Sequence, residues 1–407
     1  GAGAKRIGRI LHIAANRDSA ALIQNGGPDL EMRIRRVRVQ TGLSGRRDKG
    51  RDIDFWHVRH KNPHAFRALN AARRLISLAG TGPMVSMRRY TPTREAQGRM
   101  TRLPIIIDCD PGVDDAVMLM MALASPMLDV RAITTVAGNV PLHLTSRNAR
   151  MMCQIMDRTD VPVFAGCPRP FLREPVTAEH FHGDSGIAGL DPFEPHVPLA
   201  AGHAVTHLID TLRSASPAEY TIVVTGPLTN IAAAIVMAPD IARGIDKLVI
   251  MGGADSEGGN ITPFAEFNIF ADPHAGAVVF DSRIPATILN LDVTHQVRAE
   301  PERLTSLRAL PGPRAAIMVQ LLEAANVLEA RWKEGRMTPM HDPATIAYLL
   351  APHLFEARKA TVSVDTETGT RFGQTRVSAL EDGPHTWVTK ADADGFFALI
   401  EDLVGNT

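Results

Sequence analysis

From Pro104 onward, short β-branched runs alternate with segments whose apolar residues recur at helical spacing. The pattern predicts strands near 104–108, 129–136, 220–225, 246–251 and 285–291, and helices near 114–124, 143–156, 202–214, 227–237 and 273–281. Strands and helices that take turns in this way give parallel strands joined by crossover helices. Ile105-Ile106-Ile107 and Thr221-Ile222-Val223-Val224-Thr225 are apolar without strict alternation, as strands covered on both faces are. The expected fold is a three-layer α/β domain with a mostly parallel central sheet and flanking helices. Ligands bind beyond the carboxyl ends of the strands in such sheets, so functional side chains should directly follow the strand runs.

Upstream of this pattern no period of 3.6 or 2 is sustained, and Arg pairs (Arg35-Arg36, Arg46-Arg47, Arg73-Arg74, Arg88-Arg89) fall between Gly, Asn and Ser. Charge divides the chain at the same place. Of 44 basic and 44 acidic residues in the 407, residues 1–100 hold 21 and 7, a local balance of +14 in a chain of zero net charge. Clustered Arg could neutralise nucleic-acid phosphates or mark a transit peptide. The expectation adopted is plainer: residues 1–100 form a solvated, poorly ordered basic leader or a non-native extension, and residues 101–407 the folded domain.

Composition sets further limits. The longest uncharged apolar stretch, Ala116 to Ala124, covers nine residues, against about 20 for a membrane-spanning helix. Cys109, Cys153 and Cys167 form neither a CxxC pair nor an even framework, which points to a reducing, cytoplasmic setting.

The densest chemistry follows the first strand of the folded segment. Asp108-Cys109-Asp110-Pro111-Gly112-Val113-Asp114-Asp115 places four carboxylates within eight residues, at a turn and a helix start. One Asp there is explained as a helix cap. Four are not, because two carboxylates about 4 Å apart repel by roughly 4 kcal/mol at an effective dielectric of 20. A cation would turn that repulsion into coordination, and an all-oxygen donor set suits a hard ion, Ca²⁺ or Mg²⁺. A strand followed by Asp-x-Asp also opens a haloacid-dehalogenase type of phosphatase with Asp108 as nucleophile. Asp114 and Asp115 oppose that alternative, since they add negative charge where a phosphate would approach.

The chain resembles the inosine-uridine preferring nucleoside hydrolase family. Asp108 to Ala116 matches its Asp-x-Asp-Pro-Gly-x-Asp-Asp-Ala signature. In order follow Thr134-Thr-Val-Ala-Gly-Asn139, His182-Gly-Asp-Ser-Gly186, Thr225-Gly-Pro-Leu-Thr-Asn230, Met251-Gly-Gly253, Asn260-Ile-Thr-Pro-Phe-Ala-Glu266-Phe-Asn268, Asp292-Val-Thr-His295 and His341-Asp342-Pro343. The similarity spans about residues 102 to 403, with its nearest look to bacterial pyrimidine-preferring ribonucleoside hydrolases. It implies the nucleoside hydrolase fold and Ca²⁺-dependent hydrolysis of the N-glycosidic bond of ribonucleosides, pyrimidine and/or inosine. The implied Ca²⁺ ligands are Asp110, Asp115, Asp342 and the carbonyl of Thr225, with Asp110 also the general base. Asp114, Asn260, Glu266 and Asn268 are implied to grip the ribose hydroxyls, with Met251 beside them. Asn139 is implied to orient the water, and His341 and His182 to assist departure of the base. A small-molecule ribonucleoside is the implied partner, within a homodimer or homotetramer; neither nucleic acid nor membrane is expected for the folded domain. Asp292-Val-Thr-His295 is expected to be structural or to act behind the site. A nucleoside-binding protein without turnover, on the same fold, is the remaining alternative.

Two departures from the family pattern concern the base pocket. Ile187-Ala188-Gly189 stands where relatives often carry Leu-Asp-Gly, and the stretch Leu321 to Met340 keeps only Trp332 of the aromatic residues that commonly pack around the base.

Overall fold

A computed structural model of the chain describes residues 30–39, 51–60, 102–331 and 335–405. The chain divides into two compact units, Gly1–Gly98 and Arg99–Thr407. Within the first, strands β1 (Leu30–Val39) and β2 (Arg51–His60) pair antiparallel, Leu30 opposite His60 and Val39 opposite Arg51. A strand pair stands there although the basic segment lacks a sustained period of 2. The rest of the expectation for residues 1–100 lies outside the described residues, as does Trp332.

The second unit is built on a nine-stranded sheet. β3 (Leu103–Cys109) lies near its centre, between β4 (Leu128–Thr135) and β6 (Tyr220–Val224). Beyond β4 comes β5 (Val163–Ala165), and beyond β6 come β7 (Ile245–Met251), β8 (Ala286–Leu289) and β11 (His385–Ala391), each parallel to the strand on its β3 side. β9 (Phe355–Val364) and β10 (Thr375–Ala379) extend the β11 edge in antiparallel pairing. The expected mostly parallel sheet is present, made mixed by this edge.

Alternate residues of β3 serve different layers: Ile105 and Ile107 join one apolar core and Ile106 the other, which is why the run reads as continuously apolar. Helix α1 (Val113–Ala124) is buried around nearly its whole circumference. It packs against α2 (Leu142–Ile155), α10 (Pro313–Ala330), α11 (Pro343–Leu350) and α12 (Ala393–Gly405), so Ala116 to Ala124 needs no polar face. The last expected strand is shorter than its apolar run. Asn290 donates its side-chain amide to the Val388 carbonyl at 2.8 Å, and Leu291–Thr294 turns into a short helix, α8. Among the described residues no helix is long and apolar enough to cross a membrane.

Candidate active site

Several of the residues expected to act stand at or just past strand ends, while His341 and Asp342 come from the segment before helix α11. Asp110 comes after β3, Asn139 after β4, Thr225 after β6, and Met251 closes β7. Apart from Asp110 and Asp115, every residue proposed from the sequence lines one cavity: Asp114, Asn139, His182, Thr225, Met251, Asn260, Glu266, Asn268, His341 and Asp342. Asp110 and Asp115 are fully buried.

The cavity is strongly acidic. Asp114, Asp115 and Asp342 each bring a carboxylate oxygen within 4.8 Å of the others, although Asp342 is more than two hundred positions away along the chain. Asp110 is not within that mutual distance set. It reaches Asp115 through Asn139, whose side-chain amide donates to the Asp110 carbonyl and to Asp115 Oδ2, both at 3.1 Å. Burial, reinforced by the neighbouring carboxylates, pushes Asp110 and Asp342 well above the usual carboxylate range. Burial and Asp114 bring Asp115 to about 6, against its three donors Gly112 N–H, the Asn139 amide and the Thr225 hydroxyl. Among the described residues no Lys or Arg lines the cavity to offset this charge. Carboxylates held together without a countercharge, with oxygen as the donor atom, match what a hard divalent cation requires, so these residues fit the expected metal.

Asp110 is held in one orientation. Its Oδ2 accepts the Asn139 backbone N–H at 2.7 Å, while its Oδ1 is buried with no hydrogen-bond partner. A Cβ on Gly138 would stand 1.9 Å from Asp110 Oδ2, so only glycine permits this approach. Beneath it, Asp108 is fully buried, bonded through Oδ1 to the Thr134 hydroxyl and the Asn230 amide, and does not line the cavity. The phosphatase alternative needs Asp108 as an accessible nucleophile. Its place within β3 and its bonds to Thr134 and Asn230 argue against that role, whereas Asp110 lies past the strand end beside Asn139.

The two proposed imidazoles sit differently. His182, at the end of helix α3 (Glu179–His182), accepts the Val113 N–H on Nδ1 at 3.2 Å and so caps helix α1 from a distant segment. A Cβ at Gly112 would meet this ring at 2.5 Å, which explains the glycine of the signature. Burial brings His182 down to about 4, so its ring is neutral and its proton resides on Nε2. His341 Nδ1 shares a hydrogen bond with the Thr294 hydroxyl at 2.8 Å, and its ring lies 5.6 Å from that of His295.

The remaining polar residues are mutually braced. Asn268 donates its amide to the carbonyls of Thr225 at 2.8 Å and Met251 at 3.2 Å, leaving its side-chain oxygen unused by these bonds. Glu266 is the N-cap of helix α6 (Phe267–Ala271) and accepts N–H groups of Gly253, Asn268 and Ile269. Asn260 Oδ1 accepts from Phe267 N–H at 2.9 Å. Asp292 accepts the backbone N–H groups of Asp255, Ser256 and Glu257 and fastens the loop that leads to Asn260. His295, from the same motif, lines the cavity and bonds Glu257 at 2.9 Å. Sequence reasoning singled out neither Glu329 nor the ring of Phe181, both in the wall. A carboxylate on an otherwise apolar helix face was the available signal for Glu329.

Fold and site together define an α/β enzyme with a carboxylate-walled pocket at the carboxyl ends of parallel strands. Residues 105–398 match the family model described as inosine-uridine preferring nucleoside hydrolase, and the chain belongs to that family. It is similar to the pyrimidine-specific ribonucleoside hydrolase RihA of Salmonella agona, with 43% identity over 74% of this chain and 97% of the relative. The protein of that name from Photobacterium profundum is 40% identical over 74% and 99%. Among solved structures, a plant nucleoside hydrolase, PpNRh1, superposes with a TM-score of 0.70 at 28% identity, covering 75% of this chain and all but 1% of its own. The purine-preferring ribonucleoside hydrolase from Gardnerella vaginalis gives 0.69 at 28% identity, covering 75% and 100%. The chain is a ribonucleoside hydrolase, an N-glycosyl hydrolase of metal-dependent lineage.

Proposed function

We propose that this enzyme hydrolyses pyrimidine ribonucleosides, with inosine as a weaker substrate, and that Ca²⁺ is held by Asp110, Asp115, Asp342 and the Thr225 carbonyl, with Asp114 alongside. Relatives at 40–43% identity that carry a pyrimidine-specific name support the base preference. When bound, the ion supplies positive charge that offsets the carboxylates and makes water more acidic.

The single observation that carries the mechanism is the buried, unpartnered Oδ1 of Asp110, whose other oxygen is fixed by Asn139. Asp110 Oδ1 accepts a proton from water as the water oxygen bonds to C1′ and the bond from C1′ to the base nitrogen breaks. Positive charge develops on the ribose in that transition state, and the carboxylate wall stabilises it. Asp114, Asn260, Glu266 and Asn268 bind the ribose hydroxyls, and a deoxyribose leaves buried partners unpaired at about 1 to 3 kcal/mol each. His341, oriented by Thr294, donates a proton to the departing base. The neutral His182 orients the start of helix α1 and with it Asp114 and Asp115. Three free cysteines support a cytoplasmic setting.

The test is incubation of purified protein with uridine, cytidine, inosine and p-nitrophenyl phosphate, with and without chelator, followed by reducing-sugar and phosphate assays. Ribose release that chelation abolishes and Ca²⁺ restores more readily than Mg²⁺ or Zn²⁺ is expected. Tight uridine binding without ribose release would establish the silent-binder alternative.

A further inference from the structure

Glu329 is a buried carboxylate in the cavity wall that the mechanism above does not use. It lies in the last turn of helix α10, 9% exposed, and its Oε1 has no hydrogen-bond partner. The helix end is fastened to the segment that carries His341: Asn326, three residues before Glu329, accepts the Thr338 N–H at 2.7 Å and donates to the Ala299 carbonyl at 2.9 Å. Arg298 interacts electrostatically with Glu329, yet its guanidinium donates to the Met337 carbonyl at 2.7 Å. Ala325, on the same helix end, and Thr338, Pro339 and His341, on the segment fastened to it, line the same cavity. This is the side of the cavity from which the proposed proton donor to the base comes, whereas the groups proposed to hold ribose stand on the Asn260–Asn268 segment and the start of α1.

A carboxylate accepts hydrogen bonds and donates none. A carboxylate oxygen left buried and unpaired is costly, so Oε1 favours a ligand that brings an N–H group to it. The exocyclic amine of cytosine is such a group at the edge of the ring. Uracil offers N3–H flanked by two carbonyl oxygens, which repel the second carboxylate oxygen. We propose that Glu329 selects the base, accepting a hydrogen bond from the exocyclic amine and making cytidine a better substrate than uridine. The inference rests on the ribonucleoside hydrolase reading and adds which pyrimidine the pocket takes.

The experiment compares kcat/KM for cytidine and uridine in the wild-type enzyme and in Glu329→Gln, whose amide is isosteric and pairs with either base. The wild type should prefer cytidine, and the substitution should lower the cytidine-to-uridine ratio about tenfold. A ratio within about twofold of wild type, including a loss shared equally by both substrates, overturns the proposal. Should the variant not fold, product inhibition of the wild type decides: cytosine must inhibit more strongly than uracil, and equal inhibition overturns the assignment. Hydrolysis of p-nitrophenyl riboside by the wild type tests the reaction class separately. If that probe and the nucleosides are all inert, the hydrolase reading fails; if it is cleaved and base preference does not depend on Glu329, only this inference fails.

Discussion

Asn139 and Asp110 are joined twice: the Asn139 backbone N–H donates to Asp110 Oδ2 at 2.7 Å, and its side-chain amide donates to the Asp110 carbonyl at 3.1 Å. The same amide reaches Asp115 Oδ2, so one side chain from the end of β4 sets the positions of two carboxylates from the end of β3. Replacing Asn139 with Ala keeps the backbone bond and removes the bridge. Turnover of uridine should fall by about 10²-fold, the loss typical of small misplacement of a reacting group, with a change in KM below about threefold. Near-normal kcat would mean the bridge is structural decoration.

Asp110→Ala removes the proposed base itself, and kcat should drop by roughly 10³-fold or more. Stability should change little, because the lost Asn139 contact is offset by relief of a buried carboxyl that burial and Asp115 already push upward. Circular dichroism and thermal melting alongside kinetics check this. A variant that retains more than about a tenth of wild-type turnover would remove Asp110 from the proton-transfer step.

Asp292 gathers three successive backbone N–H groups and the Ser256 hydroxyl, and the loop it fastens delivers Asn260 to the cavity. Freed of that anchor in Asp292→Ala, the loop must be ordered by substrate. The cost should surface in KM, raised about tenfold for ribonucleosides, with kcat reduced less. A kcat-only defect would argue that the loop is already fixed by Glu257 and His295.

The strands and helices that frame the site were legible because periodicity switches cleanly at Pro104, and the signature after β3 announced its carboxylates by charge density alone. What local sequence cannot carry is which distant group completes each contact. His182, expected from the resemblance to assist the departing base, accepts the N–H of Val113 and caps α1 sixty-nine residues away. Asp108 and Asp110 look equivalent in the Asp-x-Asp pair, but β3 ends at Cys109, so Asp108 stays within the sheet, bonded to Thr134 and Asn230, while Asp110 lies past the strand end. The resemblance gives Asp114 to ribose and Asp110 to the metal, while the carboxylates that gather with Asp342, oxygens within 4.8 Å of one another, are Asp114 and Asp115. Glu329 sits on a helix whose other buried residues are mostly aliphatic, and only three-dimensional placement separates it from a solvated charge.

Residues 1–99 should be dispensable for catalysis. The family match begins at residue 105, and the unit that contains every candidate site residue starts at Arg99. A chain lacking residues 1–99 should retain uridine turnover within about twofold and melt within a few degrees of the full chain. Aggregation or loss of the cooperative transition would show that the basic segment contributes to the hydrolase core.

His385 tests the electrostatics of the fold far from the cavity. It begins β11 in the apolar core, its Nε2 lies 3.2 Å from the Phe280 carbonyl, and its Nδ1 has no partner. That pattern describes a neutral ring donating from Nε2, and burial lowers its pKa below the ordinary 6.5. The unfolded chain binds a proton at this ring below about pH 6.5 that the folded chain refuses, so its contribution is fully present above that value and is lost progressively as pH falls from there through the lower folded-state pKa. Glu266, pushed up to about 7 by burial, works in the opposite direction, gaining relative stability as it protonates. The difference between wild type and His385→Gln isolates the imidazole, since the glutamine amide donates without titrating. Between pH 7.5 and 5 the melting temperature of the wild type should fall relative to that of the variant. Parallel curves would show that the ring is protonated, or released from the core, at no cost.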